Sequence, residues 1–163
     1  MPRRSVFYSF HYDNDVFRVQ QVSNIGLLEG NEPVSPSAWE TVRRGGDAAI
    51  ERWIHENMNY RQCVVVLIGS ETASRRWVEH EIVKAWNDGR GLFGIYIHNL
   101  KCPRNGTCRK GANPFDEITF RGSSTRLSSR ITCYEPYPLY AYTEIRNNME
   151  SWVEQAIADA KSR

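Results

Sequence analysis

The sequence predicts an α/β fold, a parallel sheet of about five strands with helices on both faces. Three observations carry that prediction. Short β-branched and aromatic runs alternate with segments of helical periodicity, the pattern of successive βα units. The run Cys63-Val64-Val65-Val66-Leu67-Ile68 is apolar throughout, as in strands covered on both faces. The 163 residues are 40% hydrophobic and 25% charged, a balance that suits one packed domain, expected to span 1–163.

The elements read in order. Val6-Phe7-Tyr8-Ser9-Phe10 has the composition of a strand. Asp13 or Asp15 can cap a helix starting near Val16, with Val19 and Val22 on its apolar side. Residues 26–46 contain Pro33, Pro36 and two serines, which predicts loop with at most a short strand. Asp47 is a candidate N-cap for a helix bearing Ile50, Trp53, Ile54 and Met58. Gly69-Ser70 ends the central strand, and Ser74 can cap the next helix. There Val78, Ile82, Ala85 and Trp86 form one apolar stripe, and Gly89 and Gly91 supply a left-handed stop. Leu92–Ile97 reads as a buried strand, 98–130 as a long polar loop, and Arg130–Tyr134 as the last strand. Ile145, Met149, Trp152, Val153, Ala156, Ile157 and Ala160 mark the final helix.

Composition excludes several classes. The net charge is +2 and basic residues are scattered, so no nucleic-acid tract is expected. No run approaches the ~20 apolar residues of a membrane span, and Met1-Pro2-Arg3-Arg4 lacks the features of a signal peptide. A cytoplasmic protein is expected. Cys63 and Cys133 read as small buried hydrophobes. Cys102 and Cys108 can ligate zinc or form a loop bridge, but two ligands are too few for a structural site, and no metal is expected. Phosphate loops, a Gly-x-Gly-x-x-Gly turn, a His-Glu-x-x-His pair and a Gly-x-Ser-x-Gly elbow are all absent.

In a parallel sheet, ligands bind beyond the carboxyl ends of the strands. That edge receives Ser9, Phe10 and His11 after the first strand and Gly69-Ser70 after the central one. Glu81 lies one turn after Trp77, on the side of Lys84 and off the apolar stripe. An apolar neighbour would desolvate its carboxylate and raise its pKa. The alternative is a solvated helix glutamate paired with Arg76, Lys84 or Arg90. Glu79, on the same helix but pointing elsewhere, is the internal control.

The box Val6-Phe7-Tyr8-Ser9-Phe10 resembles the first-strand box of TIR domains. Ser74-Arg75-Arg76-Trp77-Val78-Glu79-His80-Glu81-Ile82 resembles the TIR motif of Ser, Trp and then Glu four residues after the Trp. Ser9-Phe10-His11-Tyr12, Ser37-Ala38-Trp39-Glu40, Leu67-Ile68-Gly69-Ser70 and Lys110-Gly111-Ala112-Asn113-Pro114-Phe115-Asp116 narrow the resemblance to the ThsB family of the bacterial Thoeris antiphage system. It covers roughly residues 4–120. Residues 122–142 match nothing, and Ser35 stands where the family has an acidic residue.

The resemblance implies a flavodoxin-like, TIR-like sheet. It implies cleavage of NAD at the nicotinamide–ribose bond and cyclisation of ADP-ribose into a signalling nucleotide that activates an effector protein. NAD would be substrate, with no cofactor required. Glu81 falls on the catalytic position. Phe10, His11, Trp39 and Trp77, with Ser9 beside them, would form the substrate pocket, although Trp39 and Trp77 can equally be packing residues. Asp47 is a ligand contact or simply a helix cap. Arg75 and Arg76 meet phosphates or form surface ion pairs. Nicotinamide leaves as a neutral molecule from a cationic ring, so one carboxylate facing an oxocarbenium-like transition state suffices. A non-catalytic TIR-like module signalling by self-association is the competing reading, and a nucleoside or nucleotide transferase on a related fold is a third.

Overall fold

The structure is a computed structural model that describes residues 4–26, 28–30, 36–103 and 106–163, without the side chains of 12–14, 29–30 and 36–39. The elements are β1 (Ser5–Ser9), α1 (Tyr12–Ser23), β2 (Glu29–Gly30), α2 (Pro36–Arg44), α3 (Asp47–Met58), β3 (Cys63–Ile68), α4 (Arg76–Asn87), β4 (Gly91–Tyr96), β5 (Cys133–Tyr134) and α5 (Ala141–Lys161). The five strands are all parallel, in the order β2-β1-β3-β4-β5. The expected α/β sheet is therefore present.

Every residue of β3 and β4 is buried, because both sheet faces are covered. One layer packs Val19 and Val22 of α1 and Ile145, Met149 and Val153 of α5 against the outward residues of one face. The other packs Ile50, Ile54, Met58, Val78 and Ile82 of α3 and α4 against Phe7, Val64, Val66 and Ile68. Among the described residues no helix is long and apolar enough to cross a membrane.

Several boundaries differ from expectation. Helix α1 starts at Tyr12 with His11 as its N-cap, so Asp15 is not a cap but lies within the helix, fully buried. Residues 36–44, expected as loop, form α2. Pro36 opens it, as proline can at a first helical position whose N–H has no intrahelical partner. Asp47 is the first residue of α3, and Gly46, at φ 82°, is the N-cap. Arg75, not Ser74, caps α4; Ser74 itself sits at φ 72°. Gly89 takes the left-handed stop at φ 74°, while Gly91 already begins β4. The last strand shrinks to Cys133–Tyr134.

The long connection from β4 to β5 is ordered by short 3-10 turns at Pro114–Glu117 and Leu127–Ser129 and by bridges Cys102–Gly106 and Thr119–Arg126. None of the four cysteines is in a disulfide, so Cys102 and Cys108 do not bridge the loop. Cys63 is buried as expected, but Cys133 is only half-buried.

Candidate functional site

The strand order reverses direction at β1, with β2 on one side and β3 on the other. Such a switch point leaves a crevice at the carboxyl ends of the two central strands. Ser9 ends β1 there, in register with Val66 of β3, and is fully buried. Helix α4 follows β3 and packs across β1, β3 and β4. Its second turn brings Glu81 to the end of β1. The Ser9 hydroxyl donates to Glu81 Oε1 at 2.7 Å.

Glu81 is 7% exposed and belongs to the buried face of α4 with Val78, Ile82 and Ala85. This corrects the expectation that it lies off the apolar stripe. The solvated alternative also fails, because its supposed partners are engaged elsewhere. Arg76 pairs with Asp47 at 2.7 Å, and Lys84 and Arg90 pair with Asp88. Glu79 is exposed. Burial pushes the Glu81 carboxyl up to about 8, against the opposing pull of the Ser9 hydrogen bond. A carboxyl in an apolar setting resists ionisation, because the charge loses its hydration.

The other candidates are distributed over both layers and the surface. Phe10 is partly buried against the α1/α5 layer. His11, the α1 cap, has a half-buried side chain. Trp77 is partly buried against the opposite layer, with its ring edge-on to His80 and under the Arg76 guanidinium at 4.6 Å. Asp47 is exposed and holds Arg76 rather than Glu81. Arg75 pairs with Glu71, so both arginines form the surface ion pairs that were the alternative to phosphate contacts. Trp39 lies on α2 with its side chain outside the described residues, and Ser35 lies outside them altogether.

Sequence reasoning missed a second buried polar group behind the site. Asp15 of α1 packs against Gly69 at the end of β3, where no Cβ would fit. Thr72 accepts from the Gly69 N–H at 2.7 Å. Burial pushes the Asp15 carboxyl up to about 6, opposed by the charge of Arg18 and by Thr72. Arg18 also donates to the carbonyls of Leu100 and Gly106, both at 2.9 Å. It thereby ties the loop after β4 to α1. That loop returns to β3 at Gly111, whose backbone lies against the Gly69 carbonyl so closely that a side chain is excluded. The signal was spacing: Asp15, Arg18, Val19 and Val22 share one buried helical face.

Among the described residues no group of three His, Cys, Asp or Glu is placed to hold a metal ion. The arrangement offers one desolvated carboxyl and a hydroxyl that orients it, at the edge of a parallel sheet.

The sequence profile of the family described as "Thoeris protein ThsB, TIR-like domain" matches residues 7–102. The chain is also 36% identical over 126 residues to a Bacillus cereus (strain MSX-D12) protein named "Putative cyclic ADP-D-ribose synthase ThsB1". That similarity covers 74% of this chain and 66% of the relative's length.

Proposed function

Because the chain belongs to the Thoeris ThsB TIR-like family, we propose that it is an NAD-processing enzyme that breaks the nicotinamide–ribose bond and closes ADP-ribose into a cyclic nucleotide. The observation that carries this reading is Glu81, buried at the switch point and held by Ser9 at 2.7 Å. The relative's printed name supports the product class.

The residues act as follows in this reading. Glu81 in its ionised form faces the ribose, where positive charge grows as neutral nicotinamide departs. Its hydrated competitor is excluded by burial, so the carboxylate stabilises the oxocarbenium-like state more strongly than it would in water. Ser9 holds the carboxylate oriented toward the sugar. Phe10, His11, Trp39 and Trp77 form the pocket walls, and Asp47 contributes by holding Arg76 beside Trp77. Exclusion of water leaves a group of the same molecule as nucleophile, which gives ring closure. The cyclic product then acts as a diffusible signal to an effector protein.

The test is incubation of the purified protein with NAD, followed by chromatography for nicotinamide and cyclic products. Glu81→Gln should lower turnover about 100-fold or more, the usual loss for a key transition-state charge. Glu79→Gln should stay close to wild type. Equal losses in both variants, or no NAD consumption by wild type even at high protein concentration, would overturn the enzyme reading in favour of an interaction module.

A further inference from the structure

A cavity of about 260 Å³ opens at the amino ends of the strands, opposite the Glu81 edge. It forms where the ladder between β4 and β5 stops. β4 pairs with β3 from Gly91 onward but with β5 only at Gly94 and Ile95. The gap is closed by the end of α4, the last turns of α5 and the segment before β5. Trp86, Leu92 and Ile131 supply its apolar wall, and Arg130, Thr132 and Asp159 its polar one.

Further arginines belong to a segment that touches the lining residue Trp86. Arg121 and Arg126 belong to the turn whose Phe120 packs edge-on against Trp86 at 5.4 Å. At the cavity itself, the Arg163 guanidinium is committed to the carbonyls of Trp86 and Arg90 at 3.3 and 2.8 Å. Arg130 forms no ion pair with a described residue. Asp159 accepts a hydrogen bond from Gln155 at 2.8 Å and retains further acceptor capacity.

These groups select a ligand class. A bare phosphate would leave most of the volume empty and would face the Asp159 carboxylate. A ligand that presents an anion to Arg130 and donates hydroxyls to Asp159 satisfies both. The volume lies just below the usual ~300–1,000 Å³ of small-molecule sites, too small to enclose a dinucleotide. We propose that this cavity binds a ribose phosphate, either a sugar phosphate or a mononucleotide, independently of the Glu81 site.

Calorimetric titration of the purified protein with AMP, ribose 5-phosphate and inorganic phosphate tests this. Saturable binding of a ribose phosphate is expected, with inorganic phosphate at least about tenfold weaker. AMP tighter than ribose 5-phosphate identifies a mononucleotide site; equal affinity identifies the sugar phosphate as sufficient. Arg130→Ala should weaken binding about tenfold or more. Asp159→Asn should weaken the ribose phosphates without weakening inorganic phosphate, and circular dichroism establishes that both variants are folded. Glu81→Gln should leave the affinity unchanged. The proposal falls if neither ribose phosphate saturates or if inorganic phosphate binds as tightly as they do. It also falls if Glu81→Gln abolishes binding while Arg130→Ala does not.

Discussion

Glu81 is raised to about 8 by burial, and the Ser9 hydrogen bond pulls it back. The folded protein therefore holds this proton where the unfolded chain has released it. Stability falls as pH rises from the ordinary glutamate range toward about 8, because the unfolded state gains from ionisation first. Activity runs the other way, since the proposed chemistry uses the anion. Turnover of NAD should climb with pH and level off above about 8. Ser9→Ala removes the donor that favours the charged form, so its profile should move to higher pH with a lower rate at neutrality. A kcat/KM profile for both proteins checks this. An unshifted Ser9→Ala profile would mean that the bond does not tune the carboxyl.

At the scale of elements, the same lesson appears in two helices. Apolar residues alone marked the α4 stripe as Val78, Ile82, Ala85 and Trp86, which placed Glu81 off it, on the side of Lys84. Yet 78, 81, 82 and 85 are consecutive positions of one face, and all four are buried. In α1, Asp15 and Arg18 occupy the equivalent places beside Val19 and Val22. A charged residue on an apolar stripe is invisible to hydrophobicity and plain to spacing. The loop-to-strand contacts were less accessible still. Nothing in residues 98–113 tells that Gly111 will lie against Gly69. Gly111→Ala should therefore cost about 1–3 kcal/mol of stability, as other overpacked sites do. Ala at Gly106, where no atom lies nearby but φ is +63°, should cost less than that. Urea unfolding of the two variants measures the difference, and equal costs would refute the close approach.

For the molecule as a whole, the long buried strands and α5 were legible because each carries a strong periodic or continuous apolar signal. The edge strands were read less sharply: β5 was expected at Arg130–Tyr134 and is only Cys133–Tyr134, and β2 was at most a short strand within 26–46, since each is two residues long and their pairing is set by neighbours rather than by local pattern. Helix α2 was hidden by its own proline, which reads as a breaker unless it happens to stand first. The family profile ends at residue 102, so most of the connection to β5, and α5, lie beyond it, and the cavity beside Trp86 is lined from both sides of that limit. The catalytic candidate was found through motif resemblance, whereas its burial and its bond to Ser9 came only from the fold.

The shielded state of Glu81 has a consequence for the solution around the protein. A resting molecule near neutral pH carries this side chain mainly as the uncharged acid. A ligand that docks its cationic nicotinamide ring beside it favours the anion, so occupancy expels a proton into the buffer. Titration with an uncleavable NAD analogue near pH 7 should give a heat that scales with the buffer's ionisation enthalpy, with a slope approaching one proton released. Near pH 10, where the acid is already dissociated, that slope should vanish. A buffer-independent heat at both would mean that the carboxylate is charged before the ligand arrives. With the predicted slope, ligand uptake and local acidification are one coupled event, and ambient acidity sets how readily the site fills.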